Sequence, residues 1–345
     1  MKKCKIYSGI GGQAVIEGVM MKNKDKYAVA VRKDNGDIAV EVDHFSGVMN
    51  GNKFRSLPFV RGVFNFVESL MLGMRSINMS AEVSIEEEID SDKAQKDSKI
   101  MTGVITAISV IFAVALFIVL PYYLSTLFEG IVVSKSLIAI LEGVLRIAIF
   151  LLYVTAISAM DDIKRLYRYH GAEHKCINCI EKGRPLTVRN VMRSSRIHKR
   201  CGTSFMFFVL FVSIILFFFI RVENPVYRVG LRILLMPLVA GISYEIIRWA
   251  GTSNNIFVRL ISAPGMWIQR MTTKEPDKEM VEVAIAAVEA VFDWKQFLKE
   301  NFDYEDPEEV PKQEQPAEEQ PVEEQPAGEE QPEAQDELPE GFEAL

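Results

Sequence analysis

Apolar and polar residues change their spacing several times along the chain, and each change marks a different kind of element. Tyr27-Ala-Val-Ala-Val-Arg32 alternates, and so does Ile38-Ala-Val-Glu-Val42. Asp34-Asn35-Gly36-Asp37 lies between them, and Asn-Gly between alternating runs predicts a β-hairpin. Gly11-Gly-Gln-Ala-Val-Ile-Glu-Gly-Val-Met-Met21 precedes it and predicts one strand with glycine at both ends. Those glycines suit turns or the close approach of a ligand to the backbone; Glu17 within the run reads as a solvated side chain. From Pro58 to Ala81 the spacing becomes helical, with Phe59, Val63, Phe66, Val67, Leu70 and Met74 on one stripe. This predicts an amphipathic helix on a membrane or against a helix bundle. Glu82 to Lys99 is a charged, flexible connector.

Four long apolar segments follow, at Gly103–Leu124, Leu137–Met160, Thr203–Ile220 and Val229–Ala250. A helix needs about 20 residues to cross a bilayer, so four spans are expected. Glu142 and Arg146 within the second segment are four apart and can pair, as a buried structural pair or as the lining of a cavity. Pro237 and Gly241 can kink the fourth. Between segments two and three lie 11 basic residues, whereas the other two connections are nearly free of them. The positive-inside rule then places residues 161–202 in the cytoplasm, and both termini with them. Met1-Lys-Lys-Cys-Lys-Ile-Tyr is not a cleaved signal peptide, since no apolar run follows the lysines. After the spans, Phe257–Met271 reads as interfacial, and Pro276-Asp277 opens a helix with Val281, Ala284, Val288, Val291 and Phe292 on one face.

Charge is unevenly spread. The whole chain carries −7, but residues 301–345 hold 17 acidic residues against Lys312 alone, which leaves the preceding 300 residues near +9. A basic body suits an anionic membrane surface. No recognition motif accompanies the charge, so nucleic acid is not expected as a partner. The tail repeats Glu-Gln-Pro at 314, 319, 324 and 330; it cannot bury a core, predicts disorder, and could recruit a protein partner.

Three of the four histidines and three of the four cysteines fall in residues 170–201. His170 and His174 are four apart, so on a helix both imidazoles face one way and can share a metal. His-x-x-Glu-His is the inverted zincin arrangement, in which the histidines hold zinc and the glutamate, here Glu173, is the general base. Glu245 is a candidate third ligand from a distant helix, with His198 and Glu181 as competitors. Cys176-x-x-Cys179 and His198-x-x-Cys201 could instead close a structural zinc site. Without metal, the same residues read as helix caps, ion pairs and packing. Thr187 to His198 has the mark of an amphipathic helix, with Arg189, Arg193 and Arg196 toward lipid headgroups or a phosphorylated substrate. In a reducing cytoplasm the cysteines are not disulfides.

Several runs together resemble a known family: Gly11–Met21, Pro58-Phe-Val-Arg-Gly-Val63, Tyr169-His-Gly-Ala-Glu-His-Lys175, Arg200-Cys-Gly-Thr-Ser-Phe205, Val239-Ala-Gly-Ile-Ser-Tyr-Glu245 and Thr272-Thr-Lys-Glu-Pro276. They are similar to the YqhQ-like bacterial membrane proteins of the domain-of-unknown-function family 1385, across roughly residues 5 to 300. The family has been labelled a predicted metal-dependent enzyme. The resemblance thus implies a metal site at His170, Glu173 and His174, with His198 and Cys201 in the second block. Lys199 stands where the family has proline, and Cys176 where it has a non-thiol, which counts against an all-thiolate site.

The expected protein is mainly α and integral to the bacterial cytoplasmic membrane. Its parts are a β unit at 1–57, an amphipathic helix and connector at 58–99, and a four-span membrane domain at 100–250 with its cytoplasmic His/Cys loop at 161–202. An interfacial segment and helix follow at 251–302, then a disordered tail at 303–345. The expected activity is a metal-dependent hydrolase, with zinc as the divalent cofactor and membrane lipids as neighbours. The substrate would be a peptide or lipid-linked molecule. The alternative is a membrane scaffold or assembly factor with a structural His/Cys loop.

Overall fold

The computed structural model describes residues 6–47, 53–84, 92–131, 134–220, 222, 224–252 and 255–305. The acidic tail, Cys4 and the centre of the charged connector lie outside the described residues.

Four strands open the chain: β1 (Gly11–Val15), β2 (Gly18–Asn23), β3 (Lys26–Arg32) and β4 (Ile38–His44). They form an antiparallel meander in the order β1-β2-β3-β4. The β3–β4 hairpin turns at Gly36, as the Asn-Gly signal predicts. The single strand expected over Gly11–Met21 is instead a hairpin, with Val15 paired to Gly18 across Ile16-Glu17. Glu17 takes the left-handed conformation, φ 49°. The turn is hard to read because that conformation is uncommon for glutamate. Gly18 is the informative residue, since a Cβ there would strike the carbonyl of Ala30 on β3.

Twelve helices follow among the described residues. They are α1 (Val60–Ser84), α2 (Asp92–Val114), α3 (Leu120–Thr126), α4 (Lys135–Ile157), α5 (Asp161–Ile180) and α6 (Val188–Met192). Then come α7 (Gly202–Phe218), α8 (Pro225–Leu234), α9 (Met236–Thr252), α10 (Ile256–Thr272), α11 (Lys278–Val291) and α12 (Trp294–Phe302). One wide helical turn, Ala115–Val119, joins α2 to α3.

The central strands β2 and β3 are buried on both faces. Val15, Met20, Tyr27, Val29 and Val31 pack against Leu72, Met79 and Val83 of α1. Val19, Met21, Ala28 and Ala30 point the other way, into a core with Ala172, Cys176 and Cys179 of α5 and Val281, Ala284 and Val288 of α11. The period-two alternation of β2 and β3 thus serves two different cores, and the β unit is built into the same body as the His/Cys helix. Asp277 caps α11 by accepting from the Met280 amide at 2.9 Å, as the Pro-Asp signal predicts.

Among the described residues two helical stretches are long and apolar enough to cross a membrane, Met101–Thr126 and Lys135–Ile157. The four expected spans therefore become two, or three if α8 and α9 count as one. That pair is bent by 42°. The bend falls at Leu235, two residues before Pro237, whose missing N–H ends the hydrogen-bond ladder there. The remaining segment, α7, has 17 residues. On the first stretch Ile105, Ile108, Ile111 and Phe112 are all more than half exposed, an apolar surface of a kind that soluble proteins rarely leave in water.

α1 crosses α9 where both carry glycine. A Cβ on Gly241 would lie 2.6 Å from the Phe59 carbonyl oxygen, and one on Gly62 would lie 3.0 Å from Gly241 Cα. Asn65 donates to the Tyr244 hydroxyl at 2.7 Å, and Arg61 grips Glu245 with two hydrogen bonds at 2.6 and 2.5 Å. Gly241→Ala should therefore force the helices apart and cost about 1–3 kcal/mol. The check is the thermal unfolding midpoint of the detergent-solubilised protein, which should fall below wild type.

Candidate functional site

One face of α5 is apolar and faces the sheet and α11; the opposite face carries His170, Glu173, His174, Lys175 and Asn178, and all but His170 are buried. Polar groups cannot be buried at such density without partners, and here the partners are mostly main-chain carbonyls. Lys175 Nζ donates to Met192 O at 2.8 Å and Ser194 O at 3.0 Å. Asn178 Nδ2 donates to Ser195 O at 2.7 Å and Ile197 O at 3.0 Å. His174 Nδ1 meets Arg196 O at 2.7 Å. Five carbonyls between residues 192 and 197 are thus taken by α5. They are not free to accept from amides four residues on, so the amphipathic helix expected over 187–198 stops at Met192 and the chain runs irregularly to Cys201.

A second wall comes from the end of α10. His170 Nδ1 meets Thr272 O at 2.9 Å, and Lys274 N donates to Tyr167 O at 2.9 Å. Gly171 fits because a Cβ there would collide with the Lys274 carbonyl. Gln269 is fully buried, accepting from the His198 amide at 3.0 Å and donating to His198 O at 2.7 Å. Glu275 receives Lys175 Nζ at 2.8 Å.

Between these walls His170, His174 and Cys201 converge. Their ligand atoms all lie within 4.8 Å of one another, and His170 Nε2 is 3.2 Å from Cys201 Sγ. A carbonyl can only accept, so Nδ1 of each imidazole carries the proton. In the neutral rings, Nε2 therefore presents its lone pair toward the shared centre, the orientation that metal-bound histidines adopt. Cys201 is the N-cap of α7, where Sγ accepts from the Thr203 amide at 3.4 Å. Glu173 completes the group, with Oε2 3.4 Å from His174 Nε2. The Gly12 backbone of β1 lies against it: a Cβ on Gly12 would come within 3.0 Å of Glu173 Cγ. That is the close backbone approach which the glycine pair left open, made here to a side chain.

The charges support one another. Burial opposes charge on both imidazoles, but the adjacent Cys201 sulfur overrides it, raising His170 and pushing His174 up to about 9. Burial would also raise the Cys201 thiol, but the two imidazoles hold it well below the ordinary range. Burial raises the Glu173 carboxyl, partly offset by His174 and His170. The two imidazoles thus favour the thiolate form of Cys201, the form that ligates metal.

The other candidates lie elsewhere. Glu245 is held by Arg61 and the Phe59 amide at the crossing of α1 and α9, so it is not the third member of the group. His198 turns away toward Glu181, 3.4 Å off, and the backbone of the same loop delivers Cys201 instead. Glu181 is fully buried and also bound by Arg200 and by Ser8 at 3.2 and 3.1 Å. Cys176 and Cys179 are free thiols in the apolar core. Glu17 is not simply solvated: it takes two hydrogen bonds of 2.5 Å from Arg165 of α5. Sequence reasoning missed the supporting groups Lys175, Asn178, Gln269 and Gly12. The signal was Lys and Asn on the helical face next to the histidines, one and four residues past His174.

Lys175→Met should leave two buried carbonyls without their donor and loosen the 192–201 loop. A loss of about 2–4 kcal/mol is expected. Faster amide exchange in residues 192–201 than in α11 would locate it.

A family profile described as "Protein of unknown function (DUF1385)" matches residues 57–294. An "Uncharacterized protein YqhQ" of Bacillus subtilis (strain 168) is 34% identical over 298 residues, covering 83% of this chain and 92% of that protein. No solved structure matches.

Proposed function

Since the chain belongs to the DUF1385 family, whose function is unknown, its chemistry has to be read from the site, and we propose a metal-dependent hydrolase seated at the cytoplasmic face of a membrane. The observation that carries this reading is the convergence of His170 Nε2, His174 Nε2 and Cys201 Sγ, with both Nδ1 atoms tied to backbone carbonyls. Two imidazoles and one thiolate suit zinc. Three protein ligands leave a position for water or substrate, as in catalytic rather than structural sites.

When bound, a divalent ion supplies Lewis acidity that brings the pKa of water to about 7. Glu173 is placed to take the proton. It lies beside His174 and the Gly12 backbone and is not one of the three converging ligands. Its raised affinity for protons suits a general base working near neutrality. His170 is the least buried member of the three, so substrate would enter past its ring. The long apolar helices favour membrane residence, and the basic 161–202 segment favours the cytoplasmic side. A peptide or lipid-linked substrate follows from that location. The acidic tail would serve a protein partner.

Metal content of the purified full-length protein tests the reading. Wild type should retain close to one equivalent of zinc, and His174→Ala and Cys201→Ala should lose at least tenfold in affinity. Glu173→Gln should keep the metal. Cobalt-substituted wild type should show a thiolate charge-transfer band that Cys201→Ser removes. Equal, negligible metal in wild type and His174→Ala would overturn it.

A further inference from the structure

The helix bundle holds a second cluster of buried charge. Arg146 on α4 donates through Nη2 to Glu142 Oε1 at 2.7 Å, and Arg232 on α8 donates through Nη2 to Glu142 Oε2 at 2.8 Å. Glu142 is 5%, Arg146 3% and Arg232 3% exposed. One carboxylate thus serves two guanidiniums, and the cluster keeps a net charge of about +1. Among the described residues no second carboxylate pairs with either arginine. Arg146 Nη1 reaches only the neutral Ser213 hydroxyl, at 3.4 Å. Arg146 Nε and Arg232 Nε are buried without a hydrogen-bond partner.

The aromatic rings nearby soften the charge but do not cancel it. Phe217 lies 5.0 Å from the Arg146 guanidinium and 5.2 Å from that of Arg232. Tyr122 lies 5.5 Å from Arg232 and 5.0 Å from Arg228, one helical turn earlier on α8. A buried net charge is costly unless a counter-charge joins it. Beside the arginines is a small cleft with room for about one water-sized atom. Ala139, Gly143, Ile214 and Phe218 form its apolar walls. Ser213 stands twelve residues after Cys201 on α7, so the cleft is about 18 Å along that helix from the His/Cys group.

We propose that Arg146 and Arg232, held by Glu142, bind one anionic phosphate oxygen in this cleft. Guanidinium is the side chain best matched to phosphate. A phosphate oxygen fits the space, restores neutrality and satisfies the free Nε donors. The phosphate could belong to an anionic phospholipid or be free inorganic phosphate. The apolar walls favour the lipid, whose acyl chains would run along Ile214 and Phe218.

The test uses the full-length protein in neutral detergent at high salt, where lipid contacts with the exposed surface are screened. The probes are phosphatidylglycerol, phosphatidylcholine and inorganic phosphate. Phosphatidylglycerol should raise the thermal midpoint by several degrees, and one molecule should stay bound in native mass spectrometry, at least tenfold over phosphatidylcholine. A comparable shift with inorganic phosphate would identify the free ion as the source. Arg232→Gln should abolish the shift. Ala139→Phe, which fills the cleft and leaves every charge in place, should abolish it too, and serves if Arg232→Gln does not fold. The proposal is overturned if no probe shifts the midpoint, if both lipids act alike without an effect of inorganic phosphate, or if the shift survives in Ala139→Phe.

Discussion

The grip of α5 on the backbone of residues 192–197 is the constraint on which the site depends. That segment has little secondary structure of its own, and a segment without its own ladder needs external partners for its carbonyls. Lys175, Asn178 and His174 supply them from one helix. The loop thereby holds its path to Cys201, where α7 begins. The same hydrogen bond that fixes the loop at Arg196 fixes the tautomer of His174. Structure and chemistry are therefore not separable here: a change that frees the loop also turns a ligand.

Much of the architecture was legible because it rests on local signals. The Asn35-Gly36 hairpin, the helix α1 and the Asp277 cap were all visible, since spacing and turn chemistry determine them; the stripe expected on α1 is largely exposed, and Leu72, Met79 and Val83 meet the sheet instead. The Ile16-Glu17 turn was hidden by a glutamate in a conformation that favours glycine. Helix lengths in the apolar region were overstated because hydropathy does not record where a ladder ends; Leu235, before Pro237, and Phe218 mark such ends.

In the site, the i, i+4 histidines and Glu173 were readable because one helix carries them. The third member, Cys201, was named only among several candidates, beside Glu245 and His198. Glu245 and Cys201 are both distant from His174 in sequence, and only the folded chain separates them. Arg61 is the reason: its two hydrogen bonds with Glu245 join α1 to α9. The paired motifs Arg61-Gly62 and Gly241…Glu245 are thus two sides of one helix crossing. Gly11-Gly12 and Thr272-Thr273-Lys274 likewise make sense only against α5, one letting the backbone approach Glu173 and the other supplying a carbonyl to His170.

The shared core of the sheet and α11 has a consequence for how the chain is made. Strands β1 to β4 leave the ribosome before α5 and α11, yet Val19, Met21, Ala28 and Ala30 are covered by those helices. Asn23 on β2 is hydrogen-bonded to Val291, 268 positions later. Contacts at such separation close slowly, after their loops have been paid for in entropy. Until α11 is made, one face of the sheet lacks part of its cover and stays open to aggregation or to chaperones. A helix late in the sequence completes a sheet made much earlier, so loss of α11 would strip one face of that sheet as surely as a mutation within it.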